Sequence, residues 1–147
     1  MAKFIYRMQS ILNIKEKLEE QARMEFAAAK MHLDEEEEKM NNLFSRKLFY
    51  EELGRGLRKD SLKVREIIEN REAIERMQEY INIQKVQVQS AEKQLEEARK
   101  KLTEAMQESK TQAKLREKAF DEFVREENAR EAREVDELTS YTYGQKK

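Results

Sequence analysis

The stretch YEELGRGLRKDSL, residues 50–62, contains two of the three glycines in this 147-residue chain, and its conformation decides the fold. Long stretches of helix-forming residues lie on both sides, and the chain contains no proline. The chain can continue through Gly54 and Gly56 as one helix, or it can turn there. Two glycines within three residues, followed by Asp60 or Ser61 as a helix N-cap, are typical of a helix stop, a short loop and a restart.

The composition favours long helices over a compact globule. Charged residues make up 41% of the chain, the formal net charge is -1, and Ala, Leu, Glu, Lys, Gln, Arg and Met dominate. This bias is typical of coiled coils. Disorder is the alternative, because Leu, Ile, Val and Phe together form only roughly a fifth of the chain. The apolar residues are periodic and the charges of both signs are interspersed, which favours ordered helix.

Several classes of protein are disfavoured by the composition. The chain has no cysteine, which removes disulfides and thiolate metal sites. Its near-neutral charge argues against a nucleic-acid surface. It has neither an apolar run of about 20 residues nor a signal peptide, so we expect a cytoplasmic protein without direct membrane insertion. The expected partners are therefore proteins.

Apolar residues recur at helical spacing on both sides of the glycines. In the first stretch the stripe is interrupted at Lys15 and near Glu36 and Glu37. Its members are Phe4, Met8, Ile11, Leu18, Ala22, Phe26, Ala29, Leu33, Met40, Phe44 and Leu48. In the second stretch steps of three and four alternate without a slip, as a coiled-coil seam requires. This seam comprises Ile74, Met77, Ile81, Gln84, Val88, Ala91, Leu95, Ala98, Leu102 and Ala105.

These patterns predict an all-α fold, a long antiparallel two-helix coiled-coil hairpin that is monomeric when free. Residue i is expected to lie opposite roughly residue 115 minus i, so that Ile81 faces Leu33. The alternative is one uninterrupted helix in a parallel homodimer, in which each glycine costs about 1 kcal/mol relative to alanine. The predicted boundaries are one domain over 1–147, helix 1 at about 4–53, a loop at about 54–61, helix 2 at about 62–139 and a frayed tail at 140–147.

In this register helix 1 covers helix 2 only to about residue 111. Beyond it an apolar stripe has nothing in the same chain to bury it, so this segment is a candidate for binding a groove of another protein. Fraying or a crystal contact is the alternative interpretation. The residues of the stripe are Leu115, Ala119, Phe120, Phe123 and Val124.

The sequence offers little for catalysis. His32 is the only histidine and lies in a polar helical context, where a solvated surface residue is the ordinary interpretation. The acidic run at residues 34–39, DEEEEK, lacks the alternating ligands and glycine of a calcium loop. No phosphate loop, nucleophile elbow or metal-ligand spacing is present. We expect no enzymatic activity, no cofactor and no metal.

The two ends of the chain resemble one family. Residues 4–43, FIYRMQSILNIKEKLEEQARMEFAAAKMHLDEEEEKMNNL, look like the start of the FliJ family of bacterial flagellar export proteins, with an aromatic residue and an Arg followed by Gln9, Ile11 and Leu12. Residues 115–138, LREKAFDEFVREENAREAREVDEL, are similar to the closing stretch of that family. The resemblance covers nearly the whole chain.

Membership would imply a fold similar to the central stalk of rotary ATPases. Proteins of this family bind the hexameric ATPase of the flagellar type III export apparatus and promote assembly of its ring. They also engage the cytoplasmic part of the export gate and escort unloaded export chaperones. The resemblance therefore implies a cytoplasmic protein that is peripherally associated with the membrane at the flagellar base.

The resemblance also implies two contact stripes. The ATPase-binding stripe falls at Lys39, Leu43, Arg46 and Tyr50, where Arg46 replaces an expected aromatic residue. The gate-binding stripe falls at Ala73, Met77, Tyr80 and Gln84, where Ala73 replaces a Phe and Gln84 replaces a common His. For Met77, core packing is the competing interpretation.

Three alternatives remain open at this point. A generic coiled-coil scaffold would have no effect on any ATPase. A stalk subunit of a proton-pumping rotary ATPase would carry a globular domain between its helices. The equivalent stalk of a virulence-type secretion system cannot be separated from the flagellar one by these patterns.

Overall fold

The computed structural model describes residues 2–59 and 63–145. It contains two helices, α1 (Gln9–Lys59) and α2 (Val64–Gln145), and the described residues contain no strand. The predicted all-α helical hairpin is thereby confirmed. The proposed caps Asp60 and Ser61 lie outside the described residues.

The first helix passes through both glycines that the sequence pattern assigned to a loop. α1 ends at Lys59 instead of near residue 53. Neither glycine has a positive φ, so neither terminates the helix in a left-handed conformation. Arg58 and Lys59 occupy the last turn, where positive charge is favourable at the negative end of the helix dipole. The expected loop at 54–61 is therefore wrong over residues 54–59.

Contacts divide the chain into two compact units, in each of which α1 and α2 run antiparallel. The hairpin unit comprises residues 22–102, and the terminal unit comprises residues 1–21 together with 103–147. In the hairpin unit Glu36 contacts Gln84, and the carbonyl of Tyr50 contacts Asn70. That all 147 residues form one domain stays a prediction.

The observed register differs from the predicted one. Glu36 was expected opposite residue 79 and contacts Gln84, while Tyr50 was expected opposite residue 65 and contacts Asn70. These two contacts are displaced by five residues, and the contact of Lys47 with Gln78 is displaced by ten. The displacement arises because α1 extends to Lys59 and α2 begins at Val64. The predicted pairing of Ile81 with Leu33 is wrong for the same reason.

The core of the hairpin unit is a narrow seam of small and aliphatic side chains. Ile81 and Ala91 are completely buried, and Ala22 and Met77 are nearly so. Every predicted seam residue of α2 is buried or half-buried. Small residues at the seam let the two backbones approach closely, whereas Ile81 fills the space between them. The predicted α2 seam is therefore confirmed.

The seam of α1 coincides with the predicted stripe between Ala22 and Met40, apart from Glu36, and departs from it on either side. Met8, Leu18, Phe44 and Leu48 are each between 44% and 52% exposed. Steps of three and four instead alternate without interruption through polar positions. The buried or half-buried residues on this line are Leu12, Lys15, Glu19, Ala22, Phe26, Ala29, Leu33, Glu36, Met40, Leu43, Lys47, Tyr50, Gly54 and Leu57.

In the terminal unit, residues 2–6 form a non-helical arm that packs against α2. The Phe4 ring lies 5.2 Å from that of Phe120 and 5.4 Å from that of Phe123, and the Arg116 guanidinium lies 5.5 Å from the Phe4 ring centre. Arg116 also donates a hydrogen bond to Gln9 Oε1 at 2.8 Å. The expectation that nothing in the chain covers this stripe is therefore wrong for Phe120 and Phe123.

The last part of α2 has no cover from α1. Residues 128–144 are all exposed, yet the helix continues to Gln145, through most of the predicted frayed tail. Neither helix contains, within the described ranges, a segment long and apolar enough to cross a membrane.

Candidate functional site

Both sets of predicted contact residues lie in the hairpin unit. Lys39, Arg46 and Tyr80 are exposed, and Tyr80 is 50% accessible. Leu43, Tyr50, Ala73 and Gln84 are half-buried, and Met77 is buried. The two sets thus mix surface side chains with seam side chains.

Leu43 and Tyr50 belong to the seam of α1. The ATPase-binding stripe that the resemblance implies predicts both side chains off the strict seam or at its edge, where helix pairing leaves aromatic residues exposed. The Tyr50 ring packs edge-on against the ring of Phe49 at 5.7 Å, and the Tyr50 carbonyl accepts a hydrogen bond from Asn70 Nδ2 at 2.8 Å. The structure therefore places Leu43 and Tyr50 where they also stabilise the hairpin, and Phe49 carries the more exposed aromatic ring.

One member of each set lines a shared groove between the helices. The groove has a volume of about 360 Å³ and is open to solvent. Its lining residues are Tyr50, Leu53, Leu57, Glu66, Glu69, Asn70 and Ala73. Its floor is mostly apolar and its α2 rim is acidic. Ala73 stands where the family resemblance leads us to expect a Phe, whose ring would occupy part of this space.

A buried carboxylate links the two sets further from the turn. Glu36 is only 7% exposed, and the Gln84 amide donates both to the Glu36 side chain and, at 2.9 Å, to the Glu36 carbonyl. Lys39 Nζ lies 3.2 Å from Glu36 Oε1. The hydrogen bond from Gln84, and then that from Lys39, lower the pKa of Glu36 below its ordinary value. Gln84 and Lys39 therefore hold a charged group in the seam.

Met77 and Tyr80 have different surroundings within the second set. Met77 is buried in the seam, so core packing accounts for its position. Tyr80 lies three residues later on α2 and presents half of its surface to solvent. Of the four predicted gate-contact residues, Tyr80 is the one whose side chain is most available to a partner.

The predicted partner-binding helix of the terminal unit is only partly free. Phe120 and Phe123 contact Phe4, although Phe120 remains 44% exposed. Leu115 and Val124 are 48% and 38% exposed. That this segment binds a partner stays a prediction, and the surface on offer is smaller than the sequence indicated.

Polar pairs across the seam were missed by the sequence reasoning. Gly54 packs so closely on Asn70 that an added Cβ would overlap the Asn70 side-chain oxygen. Lys47 Nζ donates to Gln78 Oε1 at 2.6 Å. In the terminal unit, Lys15 Nζ lies 2.8 Å from a Glu108 carboxylate oxygen. Steps of three and four residues, continued along α1 through polar as well as apolar positions, would have located Lys15, Lys47 and Gly54.

The described residues contain no group of three or more His, Cys, Asp or Glu side chains placed to hold a metal ion. His32 is exposed on α1. What the hairpin unit offers is an open groove beside exposed aromatic and basic side chains, an arrangement suited to contacts with another macromolecule.

The protein resembles known proteins in both structure and sequence. CT670 of Chlamydia trachomatis, a proposed YscO homolog, has a similar structure with a TM-score of 0.73 and 22% identity, and the match covers 96% of each chain. No curated protein matches the sequence. The family described as "Flagellar FliJ protein" matches residues 4–147. Because this match covers almost the whole chain, the protein belongs to the flagellar FliJ family, whose members are helical proteins associated with type III export.

Proposed function

We propose that this protein is a non-enzymatic stalk of the bacterial flagellar type III export apparatus. It binds the export ATPase, promotes assembly of the ATPase ring, contacts the cytoplasmic domain of the export gate and escorts export chaperones. It acts in the cytoplasm, peripherally associated with the membrane at the flagellar base. Nucleotide hydrolysis belongs to the ATPase partner.

The observation that carries the proposal is the family match over residues 4–147 on a helical hairpin. Support also comes from the exposure of Lys39, Arg46 and Tyr80 on the hairpin unit. Arg46 and Tyr80 can contact a partner without disturbing the seam, whereas Lys39 also pairs with the buried Glu36.

The first experiment measures hydrolysis and oligomeric state of the flagellar export ATPase of the same organism. The ATPase is kept at concentrations where it is mostly monomeric, with and without this protein. We expect faster hydrolysis together with ring formation. The double variant Lys39→Ala/Arg46→Ala should weaken this stimulation, whereas the control Lys17→Ala/Lys30→Ala, also at exposed lysines of α1, should not. Absence of both stimulation and co-elution would favour the generic scaffold.

A second experiment addresses the export gate. Tyr80→Ala should weaken binding to the cytoplasmic gate domain by about ten-fold, as expected for loss of an aromatic contact residue. Phe44→Ala is a matched control, because the Phe44 ring is 47% exposed in the same unit and lies outside both predicted stripes. Equal affinities of the Tyr80→Ala variant and the unaltered protein would remove Tyr80 from the contact.

The equivalent stalk of a virulence-type secretion system is a second candidate, since the fold resembles that of a proposed YscO homolog. The two functions predict stimulation of different ATPases. Parallel assays with the flagellar enzyme and a virulence-type enzyme separate them.

A further inference from the structure

The end of the hairpin unit is positively charged, although the chain as a whole is not. Between residues 53 and 65 the sequence has five basic side chains and one acidic side chain, a formal charge of +4. The whole chain carries -1, so the remainder carries -5. Glu51, Glu52 and Glu66 flank this stretch, so residues 51–66 together carry +1. The basic tip comprises Arg55, Arg58, Lys59, Lys63 and Arg65, all of which are exposed.

Three of these cations share one face of α1. Arg55, Arg58 and Lys59 are spaced three and four residues apart within the last turns of the helix, so their side chains project in similar directions. Lys63 lies 3.8 Å from a carboxylate oxygen of Glu66, and Arg65 has a neighbouring carboxylate at 3.6 Å. The α1 cations therefore supply most of the unbalanced charge.

Large apolar side chains surround the basic tip on both helices. Phe49 and Leu53 of α1 are 60% and 47% exposed, and Val64 and Ile68 of α2 are 66% and 50% exposed. All four lie within about three turns of the helix ends that flank the turn. Cations combined with exposed aliphatic and aromatic groups are the chemistry of a surface that adsorbs to anionic lipid.

We propose that the basic tip docks on an anionic phospholipid bilayer. Arg55, Arg58 and Lys59 approach the lipid phosphates, and the apolar side chains contact the headgroup region without insertion of either helix. This goes beyond the proposed function, in which membrane association could come entirely from protein partners. A lipid surface fits these residues because they are spread over both helices at the end of the unit, and only Leu53 among them lines the groove.

The test is co-sedimentation of the full chain with vesicles, one set of phosphatidylcholine alone and one containing about a third phosphatidylglycerol. We expect binding to the anionic vesicles only, and a loss of binding when salt is raised from about 0.05 to about 0.5 M. The triple variant Arg55→Glu/Arg58→Glu/Lys59→Glu should partition at least about 100-fold less, since each basic side chain near the surface contributes a factor of about five.

The matched control is Lys93→Glu/Lys100→Glu/Lys101→Glu, which makes the same change in net charge at exposed positions of α2 in the same unit. It should bind the vesicles as the unaltered protein does. Should the charge-reversed tip fail to fold by circular dichroism, Arg55→Gln/Arg58→Gln/Lys59→Gln replaces it. Among apolar variants, Val64→Ser/Ile68→Ser should weaken binding, whereas Ile83→Ser, at a side chain that is 61% exposed elsewhere on α2, should not.

Three results would overturn the proposal. The first is no binding to anionic vesicles, and the second is equal loss in the tip and control variants, which would indicate unspecific attraction. The third is unchanged vesicle binding in the tip variant with lost binding to the ATPase or gate domain, which would make the tip a protein contact. Because the vesicle assay contains no export protein, its failure leaves the proposed stalk function standing, and failure of ATPase stimulation leaves lipid docking standing.

Discussion

Gly54 has a helical backbone. It matters because the absence of a side chain leaves room for Asn70 of α2. The sequence pattern predicted a loop at the two glycines, because two glycines within three residues usually end a helix. The close contact with Asn70 depends on the pairing of two helices, which a local pattern cannot reveal. Gly56 has no neighbour within 4 Å of the position where a Cβ would lie, so the two glycines can be compared directly.

Gly54→Ala should lower the free energy of unfolding by about 1–2 kcal/mol, because the methyl group overlaps a hydrogen-bonded Asn70 side chain and the overpacking outweighs the better helix propensity. Gly56→Ala should raise it by about 0.5–1 kcal/mol through propensity alone. Urea titrations followed by circular dichroism measure both values. In an Asn70→Ala background the cost of Gly54→Ala should disappear. A persisting cost would mean that the glycine serves the helix and not the contact.

Glu36 predicts a dependence of stability on pH. Hydrogen bonds from Gln84 and Lys39 lower its pKa below the ordinary value of 4.5, so the folded protein binds a proton at this carboxyl less readily than the unfolded chain does. The stability that this group contributes is therefore fully present above about pH 4.5 and is lost as the pH falls through the lowered folded pKa.

An NMR titration of the Glu36 carboxyl carbon measures this effect. Gln84→Ala should move its pKa upward, because the first cause of the shift is removed. Arg99→Ala is the control, since Arg99 donates a hydrogen bond to Glu96 at 2.9 Å and is not a cause of the pKa shift of Glu36. An unchanged Glu36 titration in the Gln84→Ala variant would show that the amide does not hold the charge.

At the scale of the helices, α2 could be predicted and α1 only in part. The α2 seam contains apolar residues at nearly every step, so counting apolar spacings located it correctly. The α1 seam passes through Lys15, Glu36 and Lys47, whose partners lie on α2 and are distant in sequence. An apolar count therefore drifted to Phe44 and Leu48. The register error of five to ten residues followed from the misplaced end of α1.

Two isoleucines of α2 test the seam with the same chemical change. Ile81 is completely buried, and Ile83, two residues later, is 61% exposed. Ile81→Ala should lower the free energy of unfolding by about 2–4 kcal/mol, because it removes buried methyl groups and leaves a cavity. Ile83→Ala should change it by less than about 0.5 kcal/mol. Similar losses in the two variants, measured by urea denaturation, would contradict the observed helix orientation.

The N-terminal arm allows a second comparison of neighbours. Phe4 contacts Phe120 and Phe123, whereas Ile5 is 78% exposed. Phe4→Ala should destabilise the terminal unit by about 1–3 kcal/mol, since both ring contacts are lost. Hydrogen exchange should then accelerate in residues 112–124, whereas Ile5→Ala should leave it unchanged. Protection of this segment that is independent of Phe4 would show that the arm contributes nothing to its order.

At the scale of the whole chain, the final stretch of α2 is predicted to contribute little to stability. Residues 128–144 are exposed throughout, so no side chain there is buried by the rest of the chain. Truncation after Glu127 should reduce the helical circular dichroism signal. The free energy of unfolding should stay within about 0.5 kcal/mol of the full chain. A larger loss would indicate that this stretch associates with another part of the protein or with a second copy.

For the whole molecule, composition and periodicity predicted the fold class, and the resemblance at the two ends predicted the family. The contact residues were harder to predict. A stripe transferred by spacing cannot distinguish Met77, which the seam buries, from Tyr80, which it leaves exposed, because that difference depends on the exact register of two helices. Whether a side chain is exposed depends on how the two helices pair, and not on either helix alone.

The polar pairs across the seam have a consequence for how this sequence can change over evolutionary time. Three pairs depend on both of their members. Lys15 forms an ion pair with Glu108, Gln84 donates a hydrogen bond to Glu36, and the missing side chain of Gly54 leaves room for Asn70. A substitution at one member of a pair is therefore tolerated mainly when the other member is substituted as well. In related sequences these positions should covary in pairs. A larger residue at position 54 should coincide with a smaller one at position 70, whereas Gly56 is free to vary alone.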